Sequence, residues 1–194
     1  MKSLLILFAV FVLITTGCSS VTTKPASDGT TISNKESPDK WRARGKFSYR
    51  SSEVTESGNF DWSQDGKNYK LRLFGPLGLG SVKISGNPNL VRIQTNKQDI
   101  SSDQPLSLLY RITGFEIPLN SMPMWLLGKP ASGSPSDISF DAEGRIQSFN
   151  ERAWSLSYND YQQQDNQHIA TTVNAHKDDI SLRMLVYSWK TESK

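Results

Sequence analysis

Trp41, Ala43, Gly45, Phe47 and Tyr49 alternate with Arg42, Arg44, Lys46, Ser48 and Arg50. A period of two puts one apolar and one strongly basic face on an extended segment, so the pattern predicts a strand half-buried against a core. Phe60 and Trp62 repeat it in GNFDWSQ, and after an Asp65-Gly66 hairpin turn Tyr69, Leu71 and Leu73 take it up again. SVKIS, LVRIQT and, less clearly, QDI follow. One stretch is unusual. In LRLFGPLGLGSVKI, Leu71 to Ile84, strand alternation flanks a Gly/Pro tip that holds Leu77 and Leu79 with no charge or hydroxyl, although connecting segments run over the surface and are ordinarily polar.

The period changes in the middle of the chain. After Asp103-Gln104-Pro105, the segment LSLLYRITG places Leu106, Leu109, Tyr110 and Thr113 at helical spacing, with Asp103 as N-cap, Pro105 in the first turn and Gly114 as the stop. A second short helix is predicted over Leu119–Leu127 in IPLNSMPMWLLGKP, capped by Asn120 or Ser121 and ended by Gly128-Lys129-Pro130. With Met122, Met124, Trp125, Leu126 and Leu127 it is apolar nearly all round and needs a cover. Strands resume in DISFD, GRIQSFNE, AWSLSYND, HIATTVNA and ISLRMLVYSWK. Short turns between neighbours make the pairing antiparallel. About ten or eleven strands with a helical insertion predict a mainly β fold, a strongly curved sheet or barrel closed on one side by the helices.

Ahead of this pattern the chain is of another kind. Met1-Lys2-Ser3 precedes an unbroken apolar run from Leu4 to Ile14, which has the length of a signal-peptide core and is short of the ~20 residues that span a bilayer. Cys18, the one cysteine, follows in TTGCSS. The arrangement resembles a bacterial lipoprotein signal, in which a cysteine after a small residue is acylated, although Thr15 stands where such signals carry Leu. A lone cysteine in an exported chain has no partner for an internal disulfide, so anchoring explains it better than stapling. Ser19 next to it favours the outer membrane in the class it resembles. The segment from Val21 to Lys40 is rich in Ser, Thr, Lys, Asp and Pro and lacks aromatics, the composition of a tether. The expected organisation is a signal peptide over residues 1–17, an acylated Cys18 with its tether over 18–40, and one domain over 41–194.

Charge and chemistry narrow the function. The formal net charge of +3 loses the +1 of Lys2 with the signal, and the remaining +2, with no Lys/Arg block, argues against nucleic acid as a partner. His168 and His176 do not share a helix face, no HExxH or paired-cysteine spacing occurs, and no GxSxG elbow supplies a nucleophile. Asp178-Asp179 and Asp137 with Asp141 sit in turns, where Asp serves the backbone. The expectation is a protein that is not an enzyme, with no cofactor and no metal. Five Trp, eight Phe and six Tyr supply instead either a packed core or the walls of an apolar interior.

Five segments, WRARGKFSYR, FDWSQDGKNYKLRLFGPLG, ITGFEIPLNSMPMWLLGKP, RIQSFNERAWSLSYNDY and ISLRMLVYSWK, resemble the LolB family of outer-membrane lipoprotein receptors. The PLG hairpin and PLNSMPMWLLGKP are the most specific of them. The resemblance implies an incomplete antiparallel barrel of about eleven strands with a helical lid, enclosing a hydrophobic cavity. It implies a monomer anchored through Cys18, facing the periplasm, that accepts lipoproteins from the carrier LolA by binding their acyl chains and inserts them into the outer membrane. Phe47, Tyr49, Phe60, Trp62, Leu71, Leu73, Leu108, Trp125 and Leu126 are the expected lining.

The resemblance also bears on the apolar tip. In the family a protruding loop with an exposed leucine delivers the cargo, and Gly75, Pro76, Leu77, Gly78 and Leu79 match that loop, with Leu77 at its leucine. Burying one Leu is worth ~1.5–3 kcal/mol, enough to touch a bilayer and too little to anchor a protein. The alternative is that Leu77 and Leu79 fold back on the barrel rim, a reading the resemblance disfavours for Leu77 and leaves open for Leu79. Arg42, Arg44, Lys46 and Arg50 offer a steering surface for an acidic carrier. The competing functional class is a structural outer-membrane lipoprotein that uses a packed barrel as a protein-binding scaffold. A lipid hydrolase is disfavoured by the missing nucleophile and base.

Overall fold

The computed structural model describes residues 37–76, 80–164 and 167–191. The chain forms β1 (Lys40–Arg50), β2 (Thr55–Asp65), β3 (Asn68–Phe74), β4 (Val82–Asn87), β5 (Leu90–Gln94) and β6 (Asp99–Ser102). Two helices follow, α1 (Pro105–Thr113) and α2 (Met122–Leu126). Then come β7 (Ser136–Phe140), β8 (Ile146–Glu151), β9 (Trp154–Gln164), β10 (Gln167–Lys177) and β11 (Ile180–Thr191). All eleven strands belong to one antiparallel sheet in the order β6-β5-β4-β3-β2-β1-β11-β10-β9-β8-β7. Two meanders are therefore joined by a single pairing of the first strand with the last, and the helices connect the two free edges.

The alternation seen in the sequence is the alternation of burial. Along β1, Trp41, Ala43, Gly45 and Tyr49 are buried while Arg44, Lys46, Ser48 and Arg50 are exposed or nearly so. Inward side chains from β1 to β11 share one apolar cluster with Leu108 and Leu109 of α1 and Trp125 and Leu126 of α2. Strands lie ~4.8 Å apart, so a flat sheet of this width would keep β5 and β8 far from each other. The sheet instead wraps around its core as an incomplete barrel. Where β1 meets β11 the register shifts between Arg44 and Gly45. A Cβ on Gly45 would stand 1.9 Å from the Leu185 carbonyl oxygen and 2.5 Å from the Phe60 ring. Glycine is what lets the two strands approach at this bulge.

One end of the interior is filled by aromatic rings. Trp41 stacks on Trp189 at 4.5 Å and on Trp62 at 6.4 Å, and Trp62 stacks on Tyr69 at 5.4 Å. The buried Trp62 N–H donates to Gln64 Oε1 at 2.8 Å, and the Gln64 amide donates on to the Gly66 carbonyl at 2.9 Å, so this part of the plug keeps its polar atoms paired at the hairpin turn. Burial pushes the Tyr69 hydroxyl up to about 12.

The helices differ from expectation in detail. The N-cap of α1 is Gln104 rather than Asp103, with no side-chain cap, because Ser102 Oγ accepts the Gln104 N–H and sets the turn one residue later. Gly114 ends it in the left-handed conformation, φ 73, as its position predicts. The second helix is a short turn, Met122–Leu126, and Ser121 occupies its N-cap without a side-chain bond. Replacing Gly45 by Ala is expected to destabilise the fold by about 1–3 kcal/mol or more, since the obstructing atom is backbone. An unchanged urea midpoint would show that the β1–β11 junction has slack.

Candidate functional site

Beside the aromatic plug the interior narrows to an apolar void. It is lined by Phe47, Trp62, Leu71, Leu73, Leu182 and Met184 of the sheet, by Leu109 of α1, by Phe115, Ile117 and Leu119, and by Met122 of α2. Its volume is about 20 Å³, room for one water. Residues 115–119 form an extended strap between the helices, and Phe115, Ile117 and Leu119 point into the interior as alternate residues of an extended chain do.

The strap is tied down at its edge. Tyr49 stacks against Phe115 at 4.6 Å, and its hydroxyl accepts the Glu116 N–H at 3.1 Å. Lys177, at the end of β10, pairs with the Glu116 carboxylate, and the Tyr110 hydroxyl donates to Glu53 at 2.8 Å. The hydrogen bond from Lys177 to Glu116 raises the ammonium pKa above its ordinary value. That contribution is therefore complete below the ordinary lysine range and is lost as pH rises through the raised value. A second tie lies under α2. The carboxylate of Glu151, 2% exposed, accepts the Ala131 N–H at 2.8 Å and the Trp125 indole N–H at 3.3 Å, which fixes the short helix and the chain after it to β8.

The structure brings together part of the expected lining. Phe47, Trp62, Leu71 and Leu73 border the void. Tyr49, Phe60, Leu108, Trp125 and Leu126 are buried in the same core without bordering it. Tyr49 lies behind Phe115, Phe60 packs against Gly45, and Trp125 packs on Trp154 at 5.6 Å. Leu109, Phe115, Ile117, Leu119, Met122, Leu182 and Met184 border it without having been expected. Two of them were within reach of the pattern, since pairing β1 with β11 sets Met184 beside Phe47 and Leu182 beside Tyr49. Of the hairpin tip, Gly75 and Pro76 are described and follow directly on Phe74, the last residue of β3. Leu77, Gly78 and Leu79, like Cys18, lie outside the described residues. The expected basic face is partly neutralised, because Asp61 pairs with Arg42 at 2.5 Å and with Arg44 at 3.1 Å.

Known proteins share both the sequence and the fold. Residues 39–189 match the family described as outer membrane lipoprotein LolB. The chain is 28% identical over 194 residues to the outer-membrane lipoprotein LolB of Pseudomonas syringae pv. syringae (strain B728a), covering 95% of this chain and 94% of that one. It is 26% identical over 178 residues to the outer-membrane lipoprotein LolB of Francisella tularensis subsp. novicida (strain U112), covering 90% and 85%. The crystal structure of a LolA superfamily protein from Nitrosomonas europaea superposes with a TM-score of 0.52 over 82% of this chain and 89% of that chain, at 10% identity, a likeness of fold alone. Because the family match runs from the start of β1 to Trp189 near the end of β11, across every strand of the sheet, the chain belongs to the LolB family of outer-membrane lipoproteins.

Proposed function

We propose that this chain is the receptor that accepts lipoproteins from a LolA-like periplasmic carrier, holds their acyl chains in its apolar interior and passes them into the outer membrane. One observation carries the reading: Leu73 is on the wall of the void, and two residues further along the chain the apolar hairpin tip begins at Gly75. The tip thus begins within two residues of the wall of the void, which supports a path from the one to the other. The void of about 20 Å³ is far too small for an acyl chain, so the strap and the side chains facing it move aside when cargo enters. Met122 and Met184 on its wall adapt easily to a guest of variable shape.

No nucleotide or cofactor is needed for transfer. Each methylene buried is worth ~0.8 kcal/mol, so the acyl chains move downhill if each successive site covers them more fully, and an interior that held them too well would fail at release. Cys18 supplies the receptor's own acyl anchor, which leaves Leu77 to engage the bilayer transiently. A second reading is favoured by the small volume of this void, since a protein-binding scaffold would have a packed interior.

The deciding experiment uses the unacylated polypeptide from Cys18 to Lys194. It is expected to bind a fluorescent fatty acid saturably and to release it to a lipoprotein; refusal of both would favour the scaffold. Lys177→Met unties the strap, so backbone hydrogen exchange over residues 115–119 and probe entry should both quicken, while global stability changes by less than ~1 kcal/mol. Equal exchange and entry in the two proteins would remove the strap from the gate. Leu77→Glu puts a charge where the proposed tip would meet hydrocarbon, at a cost of up to a few kcal/mol. Acceptance from the carrier should survive and insertion into liposomes should fall sharply; equal insertion at equal stability excludes Leu77 from delivery.

A further inference from the structure

Cations on the outer face of the sheet are concentrated on β1 and β3 to β5, although β11 adds Arg183 and Lys190 and β9 carries an exposed Asp160. Through the registers of β1 to β4, Arg44 stands beside Asp61, Asp61 beside Arg72, and Arg72 beside Lys83. Two residues along each strand the row Arg42, Ser63, Lys70, Ser85, Arg92 crosses β1 to β5. The cations of β3, β4 and β5 are exposed, and the residues flanking them in those strands, Leu71, Leu73, Ile84, Val91 and Ile93, are buried. On the other half, β8 to β10 present Ser148, Asn150, Ser155, Ser157 and Asn174 in the corresponding rows, with Arg183 of β11 beside Asn174 and the exposed Asp160 on β9 as the charges there.

Folding does not account for this arrangement. Asp61 and Asp99 are paired with Arg42, Arg44 and Arg92, and among the described residues Lys70, Arg72 and Lys83 form no ion pair. Arg72 and Lys83 face each other directly across β3 and β4, where like charges weaken a sheet. On the β1–β11 side the same face holds a hollow of about 280 Å³ lined by Arg42, Arg44, Ser188, Lys190 and Thr191. Toward the hairpin, the Arg72 guanidinium lies 4.8 Å from the centre of the Phe74 ring, one residue before Gly75.

We propose that the outer face of β1 to β5 is a docking surface for the phosphate-bearing headgroups of a lipid bilayer, holding the domain with the β3–β4 hairpin toward the membrane. Its cations lie on four of the five strands, β1, β3, β4 and β5, roughly 20 Å across, which matches an array of phosphates better than a single ion. Lys and Arg beside a phosphate layer act additively, and guanidinium groups grip phosphate in a fork. The orientation rests on the reading of the hairpin as the delivery tip, whereas headgroup binding does not.

The test is flotation of the unacylated Cys18–Lys194 polypeptide with phosphatidylcholine vesicles, with and without phosphatidylglycerol, and with no lipoprotein present, so a failure of acyl binding leaves it unaffected. Binding is expected only with phosphatidylglycerol and should vanish as the Debye length falls from ~10 Å at 0.1 M salt to ~3 Å at 1 M. Lys83→Glu should weaken it by at least about fivefold and yet raise the melting temperature, since a carboxylate would then oppose the Arg72 guanidinium across the two strands. A purely structural Lys83 could not give both changes. If Lys83→Glu melts early, Lys83→Gln removes the charge and carries the same expected loss. Arg111→Glu, on α1 and away from the face, should bind as the parent does. Equal binding to both vesicles, an equal loss in Arg111→Glu, or Lys83→Glu vesicle binding at the parent level would overturn the proposal. Parent-level vesicle binding with lost affinity for the carrier would assign the face to an acidic protein.

Discussion

Where β1 crosses the bulge at Gly45, the carbonyl oxygen of Leu185 occupies the place a side chain would take. Everything else in the fold follows from that contact being possible. Each half of the chain is a simple meander, β1 to β6 and β7 to β11, and the pairing of β1 with β11 is the junction that makes them one sheet. The two free edges, β6 and β7, are then at opposite ends of the strand order, so the chain between them must cross the interior side. The segment obliged to make that crossing carries α1, the strap and α2. A cover over the core is in this sense a consequence of topology, and its apolar composition is the condition for lying there.

The interior beneath the cover is graded along the barrel. Stacked rings of Trp189, Trp41, Trp62 and Tyr69 fill one end with large rigid groups, while Leu, Met and Phe side chains face one another around the void beside them. Aromatic stacking resists rearrangement, whereas aliphatic and thioether side chains repack at modest cost. The strap is held by the exposed Lys177–Glu116 pair and Tyr110–Glu53 bond and, further in, by the buried Tyr49 hydroxyl, and the exposed ties are individually weak. A rigid end and a loosely tied end are what a receptor that must both hold and release a guest requires. The buried Glu151 tie fixes α2 to β8, so on the proposed reading the part that yields to a guest is the strap and the end of α1.

The outer face obeys a different constraint. A sheet side open to water tolerates almost any polar residue, and β8 to β10 use mostly uncharged ones, with Asp160 exposed on β9 and Lys177 at the end of β10. On β1 to β5 cations gather even where they oppose each other, and Arg72 with Lys83 gives up sheet stability to do so. On the proposed readings the two surfaces of one sheet carry two tasks, apolar contact inside and electrostatic contact outside, and β3 contributes to both before it reaches Gly75.

Much of this was legible in the residues themselves. Period-two alternation separated inward from outward side chains in β1, β2 and β3, Asp65-Gly66 marked the hairpin turn, Gly114 marked the end of α1, and the strand segments with a central insertion described the sheet that is observed. These features are local, set by backbone sterics and by which face meets water. Which inward residues border the void was decided elsewhere. Leu108 and Leu109 are equally apolar neighbours on α1, yet Leu109 alone reaches it, and Tyr49 is screened by Phe115. The alternate Phe115, Ile117 and Leu119 carry the signature of an extended strap, but it is brief and lies between two helical patterns. Alternation tells whether a side chain faces inward, not how far along the barrel it lies or what covers it. Those depend on the β1–β11 register and on the path of the crossing segment, both made by contacts between residues far apart in the chain, and only the folded structure sets them.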